Sequence, residues 1–279
     1  MTVFLWPVTG CRAKDLKMKE QPIGVFDSGV GGISIWMQLH QMMPQENTIY
    51  LADSKNAPYG EKSRDAIIAL SLKNTEYLLS RGSKLIVVAC NTATTNAIKT
   101  LRERFEVPFI GIEPAIKPAA LNSHSKTVGV LATKGTLGSQ LFHSTAKVHA
   151  AGIRIIEQEG SGLVELIEAG KEGSPQMRSL LAGYLEPMLK AKIDHLVLGC
   201  THYPFLIPIL RELLPSDVKI IDSGQAVARQ TMNILREHDI LNASRTNAHC
   251  EFFTNAKKGV LQALVDKAEE NYRVRSLDF

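Results

Sequence analysis

The sequence predicts an α/β protein made of two parallel-sheet domains that face each other across a cleft. Short apolar runs of strand length alternate with longer segments of helical periodicity, which is typical of parallel α/β sheets. Two of these runs end at a cysteine, in LIVVACNTATTNA (85–97) and HLVLGCTHYP (195–204). An Asp-Ser-Gly tripeptide also follows an apolar run twice, at 27–29 and 222–224. This duplication indicates two related domains that each contribute one thiol to a shared cleft.

The composition favours a globular protein with reduced cysteines. A chain of 279 residues with 44% hydrophobic content can fill two cores without disulfides, so the four cysteines indicate thiols in a cytoplasm. The net charge of +4 is slight and the Lys and Arg residues are scattered, which disfavours nucleic-acid binding. No apolar run is long enough to span a membrane. Residues 1–20 are interpreted as a poorly ordered N-terminal extension.

The first half predicts four strands, at 23–26, 48–51, 85–88 and 109–112, with helices between them. The first strand runs into the glycine-rich turn DSGVGG (27–32), whose amides favour an anion but whose spacing is neither a dinucleotide nor a Walker loop. The second strand ends at Asp53. Residues 56–60 are predicted to be irregular, and Ser63 is predicted to begin a helix that Gly82 ends.

The second half predicts a strand from Thr127 through VGVLAT (128–133), a helix from Lys134 that Gly152 closes, and a strand at 153–156. A short helix (163–170), a long helix to about residue 192, the Cys200 strand, a helix to 214 and a strand at 218–221 follow. The tail predicts a helix (225–238), a strand (251–254) and a final helix. We predict a first domain of 21–114 with 224–279 and a second domain of 115–223.

The paired cysteines predict acid-base chemistry at a carbon atom. A thiol becomes a competent base when a helix N-terminus or a hydrogen-bond partner stabilises its thiolate. If the thiolate of Cys90 or Cys200 takes a proton from one face of a carbon while the other thiol donates to the opposite face, the stereocentre inverts without a cofactor. Hydrogen-bonding groups would have to hold the carboxylate of such a substrate. Residues of the right type and position are Ser28, Asn91, Thr92 and Thr201.

Each candidate also has a purely structural interpretation. A buried cysteine is usually an inert small hydrophobic residue, and Cys11 and Cys250 are interpreted in that way. Asp27 could simply cap the following helix, although its place before a glycine-rich turn favours a site. His202 lies two residues after Cys200, where an imidazole is a natural proton partner for a thiol.

The chain resembles bacterial glutamate racemases from about residue 22 to its end. The motifs that carry the resemblance are DSGVGG (27–32), APYGEK (57–62), ACNTAT (89–94), IEPAIKPA (112–119), VLATKGT (130–136), LVELIEAG (163–170), GCTHYPFL (199–206) and DSG (222–224). The resemblance implies a cofactor-independent two-base enzyme that makes D-glutamate from L-glutamate for peptidoglycan. It also implies two α/β domains related by pseudo-twofold symmetry, with the active site in the cleft between them.

The resemblance also implies roles for individual residues. The first acid-base cysteine of the family corresponds to Cys90, which takes the proton from D-glutamate, and the second to Cys200, which takes it from L-glutamate. The assisting acid beside Cys90 corresponds to Asp27, and those near Cys200 correspond to Glu168 and His202. Asp53 matches a polar residue of the family without an assigned role. Family substrate contacts fall on Asp27, Ser28, Tyr59, Gly60, Asn91, Thr92, Thr201 and His202.

The chain departs from the family in two places. Relatives often carry Cys-Pro in the segment that is here Glu159-Gly160-Ser161-Gly162. The extension before Gln21 is longer than in many relatives, and some family members with an extension require a peptidoglycan precursor as activator. The sequence leaves activator dependence and oligomeric state open, with a homodimer as one option.

Three other functions remain as alternatives. A sister racemase for aspartate or another small amino acid would share the same thiols. A metal- or redox-binding protein would use Cys90, Cys200 and His202, but the chain has no CxxC pair there, and Cys-x-His supplies too few ligands for structural zinc, so no metal is expected. A pyridoxal enzyme would need a Schiff-base lysine, and none is indicated.

Overall fold

The computed structural model describes residues 18–244, 248–268 and 272–279. Cys11 and most of the N-terminal extension lie outside these ranges. The strands are β1 (Ile23–Asp27), β2 (Thr48–Ala52), β3 (Leu85–Val88), β4 (Phe109–Gly111), β5 (Thr127–Ala132), β6 (Arg154–Glu159), β7 (His195–Gly199), β8 (Lys219–Ile221), β9 (Cys250–Thr254) and β10 (Val274–Ser276). The helices are α1 (Ile33–Met42), α2 (Arg64–Ser80), α3 (Asn91–Arg104), α4 (Ile116–Asn122), α5 (Lys134–Leu137), α6 (Gln140–His149), α7 (Leu163–Glu168), α8 (Pro175–Lys190), α9 (Ile207–Leu213), α10 (Gly224–Glu237) and α11 (Gly259–Ala268).

The described strands form two parallel sheets, which confirms the predicted fold class. The six-stranded sheet has the order β10-β9-β2-β1-β3-β4, and the four-stranded sheet has the order β6-β5-β7-β8. Every residue of β1, β2, β3, β5 and β7 is buried. Helices cover both faces of such strands, which explains why their sequences are nearly continuous apolar runs. No described helix has the length and apolar character needed to cross a bilayer.

The chain leaves the six-stranded sheet after β4 and returns to it with β9. Strand β9 pairs with β2 in parallel register, Thr48 opposite Cys250 and Ala52 opposite Thr254. Strand β10 in turn pairs with β9. The four strands between β4 and β9 make up the smaller sheet. The exact domain boundaries, at 114/115 and 223/224, stay a prediction.

The structure differs from the local predictions in several places, including the helix α4, which was not predicted. Strand β6 continues past Ile156 to Glu159, because it is an edge strand whose half-exposed positions accept polar side chains. The helix expected from Lys134 to Gly152 is two helices, because the Ser139 hydroxyl accepts a hydrogen bond from the Phe142 N–H (3.2 Å) and begins a new helix.

The loop that was predicted to be irregular contains two 3-10 turns, Ser54–Asn56 and Tyr59–Glu61. Strand β10 was not predicted, since it is three residues long and only Val274 is buried.

Candidate active site

A narrow pocket with an empty volume of about 260 Å³ lies at the carboxyl ends of both sheets. Cys90 follows β3 of the larger sheet and Cys200 follows β7 of the smaller one, and both line the pocket. Their exposures are only 4% and 7%. The other lining residues are Ser28, Pro58, Tyr59, Gly60, Asn91, Thr92, Thr133, Val164, Thr201 and His202. The fold therefore brings the two predicted thiols and most predicted contact residues into one cavity.

The Cys90 thiol occupies the N-cap position of α3. Its Sγ accepts a hydrogen bond from the Ala93 N–H (3.4 Å), and its S–H donates to Ser28 Oγ (3.6 Å). Burial, reinforced by the nearby Asp27 carboxyl, raises the pKa of Cys90 well above the ordinary thiol range. The Cys90 side chain is therefore a neutral thiol near pH 7, which suits a proton donor.

Asp27 is completely buried beside the Cys90 thiol. Its Oδ2 accepts hydrogen bonds from the Gly32 N–H (2.6 Å) and the Thr201 hydroxyl (3.4 Å), and its Oδ1 accepts one from the Ser28 hydroxyl (3.4 Å). Burial raises the pKa of Asp27 to about 6, although His202 and the Gly32 N–H oppose this shift. A carboxyl with this pKa changes its protonation state close to neutrality, as a proton relay requires.

The Cys200 thiol begins a chain of contacts that ends at a carboxylate. Its Sγ lies 3.7 Å from His202 Nδ1, and His202 Nε2 lies 2.6 Å from Glu168 Oε1. Burial alone would lower the pKa of His202, but hydrogen bonding to Cys200 and Glu168 outweighs it and raises that pKa well above its usual range. His202 is therefore an imidazolium placed to exchange a proton with the Cys200 sulfur.

Glu168 accepts hydrogen bonds from two further donors besides His202. Its Oε1 also accepts a hydrogen bond from the Val30 N–H (2.6 Å), and its Oε2 accepts one from Ser54 Oγ (3.0 Å). Burial would raise the pKa of Glu168, but these donors and His202 lower it, so the side chain is an anion. The carboxylate thus joins α7, on the smaller-sheet side, to two loops of the larger sheet.

The glycine-rich turn binds carboxylates of the protein itself. Its amides donate to Asp27 and Glu168, as described above, and two of its glycines leave room for side chains of the other sheet. A Cβ at Gly29 would lie 1.9 Å from Glu168 Oε1, and one at Gly31 would lie 2.3 Å from His202 Nδ1. The turn is therefore a surface against which Glu168 and His202 pack, rather than an open anion site.

Asn91 provides a polar group that is available to a ligand. The residue is 2% exposed and lines the pocket, and neither its Oδ1 nor its Nδ2 has a hydrogen-bond partner within the protein. A buried amide without partners costs free energy, roughly 1–3 kcal/mol for an unsatisfied polar group. A bound molecule with polar groups of its own would satisfy it, as expected for a substrate site.

Several residues at the site were not singled out from the sequence. Thr133 follows β5 and lies 2.8 Å from Thr92, oxygen to oxygen, so it connects the two sheets at the rim of the pocket. Asn255 follows β9 and contacts Asp53. The signal that indicated Cys90 also applies to both of them, because ligands of parallel α/β sheets bind at the carboxyl ends of the strands and each residue directly follows a strand. The remaining ones are Tyr50, Ser54, Asn74 and Thr136.

The repeated Asp-Ser-Gly adds no carboxyl to the pocket lining, and Asp27 itself lies behind Ser28 and Thr201 rather than among the lining residues. Asp222 is exposed, its Oδ1 accepts a hydrogen bond from the Gly224 N–H (2.8 Å), and it is not among the lining residues. Ser223 instead donates to the Glu113 carbonyl and so links the two segments that connect the sheets. Within the described ranges, no group of three His, Cys, Asp or Glu side chains is placed to hold a metal ion.

Replacing Asp27 by asparagine should stabilise the protein at high pH. The pKa of this carboxyl rises on folding from 3.8 to about 6, so its stabilising contribution is present below pH 3.8 and is lost as the pH rises through 6. The variant keeps an acceptor for Gly32. We expect its advantage in unfolding free energy to grow by about 2 kcal/mol between pH 4.5 and pH 8. Denaturant titrations at both pH values measure it, and an advantage that is constant with pH would contradict the assignment.

The sequence and the fold both match known racemases. The family model described as Asp/Glu/Hydantoin racemase matches residues 34–231. A glutamate racemase of Ectopseudomonas mendocina is 49% identical over 227 residues, which cover 81% of this chain and 86% of the relative. A glutamate racemase structure from Bacillus anthracis has a TM-score of 0.83 at 28% identity, covering 94% of this chain and 98% of that one. The Escherichia coli glutamate racemase in complex with L-glutamate and the activator UDP-MurNAc-ala has a TM-score of 0.81 at 33% identity, covering 92% and 98%.

Proposed function

This chain belongs to the Asp/Glu/hydantoin racemase family, and we propose that it interconverts L-glutamate and D-glutamate through two cysteine bases without a cofactor. The observation that carries the proposal is that Cys90 and Cys200 come from different sheets and line one narrow pocket. A racemase of this type needs an acid and a base on opposite faces of the same carbon. The glutamate racemases among its relatives support glutamate as the substrate.

The protonation states around the two thiols favour one starting form. His202 carries a positive charge next to the Cys200 sulfur, whereas burial keeps Cys90 neutral. In this form the Cys200 thiolate removes the α-proton of L-glutamate and the Cys90 S–H delivers its proton to the opposite face. The products are D-glutamate, a Cys200 thiol and a Cys90 thiolate. The reverse reaction starts from that second form, in agreement with the roles that the resemblance implies.

Proton return to the starting form requires groups that exchange protons on both sides. We assign this to His202 with Glu168 beside Cys200, and to Asp27 beside Cys90. The supporting observations are the 3.7 Å contact of His202 with Cys200 and the pKa of Asp27 near 6. The Asn91 amide and the hydroxyls of Thr92 and Thr201 are assigned to substrate binding, since they line the same pocket. Enclosure of the carbanion among these groups offsets the weak acidity of the α-carbon.

The cellular role follows from the product. We propose that the D-glutamate is used for peptidoglycan and that the protein works in the cytoplasm, where its catalytic cysteines stay reduced. Both assignments are supported by the glutamate racemases to which the chain is similar. Because the Escherichia coli protein binds the activator UDP-MurNAc-ala, this compound is the effector to include in assays.

The test is an enantiomer assay on the purified chain with no added cofactor. We expect circular dichroism to show L-glutamate and D-glutamate each converging on zero ellipticity, with and without UDP-MurNAc-alanine as separate arms. L-Aspartate should be turned over far more slowly, which separates this function from that of an aspartate racemase. Equal or faster turnover of aspartate would contradict glutamate specificity, and inactivity on both amino acids in both arms would contradict the proposal.

A further inference from the structure

Asp53 forms the centre of a buried hydrogen-bond cluster next to the pocket. It is 2% exposed, and its Oδ2 accepts a hydrogen bond from the Tyr59 hydroxyl (2.5 Å). Its Oδ1 accepts hydrogen bonds from Asn56 Nδ2 (2.7 Å) and Asn255 Nδ2 (2.5 Å). All of these donors belong to neutral side chains, so the Asp53 carboxylate is held by hydrogen bonds and not by an ion pair.

Tyr59 is the member of this cluster that reaches the pocket. It is 1% exposed and lines the cavity together with Gly60. Its hydroxyl donates to Asp53 and accepts from Asn74 Nδ2 (3.2 Å), so both hydrogen-bonding roles of the phenol are used within the cluster. Burial, with Asp53 adding to it, raises the pKa of Tyr59 far above the ordinary range. The phenol therefore stays neutral, and Tyr59 forms a fixed wall rather than an acid.

Asn255 comes from a distant part of the chain. It directly follows β9, and Asp53 directly follows β2, the strand that pairs with β9. While its Nδ2 donates to Asp53, its Oδ1 accepts a hydrogen bond from the Lys55 N–H (2.9 Å). The residue lies outside the 34–231 segment that the family model matches. The final segment of the chain thus contacts the turn that follows β2 at two points, Asp53 and Lys55.

We propose that Asn255 is a positioning residue, which orients Asp53 and through it the Tyr59–Gly60 wall of the substrate pocket. This inference rests on the proposed function and assigns to Asp53 a part in substrate binding rather than in proton transfer. The wall does not carry the reacting thiols. Its displacement should therefore weaken substrate binding and raise KM, while kcat changes little.

The test compares four variants with the parent enzyme. Asn255→Asp keeps the acceptor for the Lys55 N–H but places a second carboxylate next to that of Asp53, so the two repel each other. Asn255→Ala removes both contacts. In the double variant Asp53→Asn with Asn255→Asp, the amide and the carboxylate exchange places and the pair can form again. Asn242→Ala is the matched control, because Asn242 contacts Gln45 and Glu46 near the amino end of β2 and not the Asp53 cluster.

We expect Asn255→Asp to raise the KM for glutamate about tenfold, since coupled contacts and small displacements have effects of this size. The double variant should recover most of this loss, and the control should stay within about twofold of the parent. Mere structural loosening would lower Tm and the active fraction, and hence kcat, without raising KM. If Asn255→Asp does not fold, Asn255→Ala is judged by the same KM criterion.

Two results would overturn the proposal. The first is a folded Asn255 variant with the parent KM, and the second is a double variant that recovers none of the loss. Both presuppose that the parent racemises glutamate. An inactive parent would contradict the proposed function instead, so the two failures can be distinguished.

Discussion

Replacing either Cys90 or Cys200 by serine should lower the rate of glutamate racemisation by about 10³-fold or more. A positioned acid or base contributes roughly 10²- to 10⁴-fold, and inversion needs both thiols in each turnover. One-sided chemistry should survive. In deuterated water, Cys90→Ser should still exchange the α-hydrogen of L-glutamate, and Cys200→Ser that of D-glutamate. Proton NMR of each enantiomer measures the exchange, and circular dichroism measures the inversion.

The chain contains a matched control for this pair. Cys250 is also buried, but it begins β9 opposite Thr48, at the amino end of the larger sheet and away from the pocket. Cys250→Ser should therefore racemise within about twofold of the parent rate. A parent rate in either Cys90→Ser or Cys200→Ser would show that the two-base assignment is wrong. Exchange of both enantiomers by one variant would show that a single base reaches both faces.

Replacement of Gly31 by alanine should lower kcat/KM about 100-fold in a protein that still folds. The new Cβ would lie 2.3 Å from His202 Nδ1, and the ring is buried, so the imidazole has to shift from the position in which its Nδ1 lies 3.7 Å from the Cys200 sulfur. A displacement of about 1 Å at a catalytic group can cost 10²-fold. Gly29→Ala should act in the same direction, because its Cβ would meet the Glu168 carboxylate at 1.9 Å. The measurement is steady-state racemisation beside a thermal melt.

Gly173 supplies the comparison for the glycine variants. No atom lies within 4 Å of a Cβ built there, so Gly173→Ala should leave kcat/KM unchanged. If Gly31→Ala loses activity only in proportion to a loss of folded protein, the effect is on folding and not on His202. A Gly31→Ala variant with full activity would show that the His202–Cys200 contact is dispensable.

The candidate site was partly predictable because its main members follow buried strands. Cys90 and Cys200 end apolar runs. The polar residues beside them belong to the same two short motifs: Asn91, Thr92, Thr201 and His202. Glu168 was different. Its own helix predicts a solvated surface position, and only the resemblance indicated a role. In the structure it is half-buried, because the glycine-rich turn of the other sheet packs against it and supplies the Val30 N–H.

Local sequence determined the parallel α/β class, most strand positions and the two strand ends that carry thiols, because hydrophobic periodicity and turn residues act over a few neighbours. The tertiary structure alone decided that Glu168 would meet Val30 and Ser54 and that Asn255 would reach Asp53, across 138, 114 and 202 positions of sequence. These contacts depend on the order of strands in the sheet and on which loops meet where two sheets adjoin. Such information resides in packing between distant segments, and no short stretch of the chain contains it.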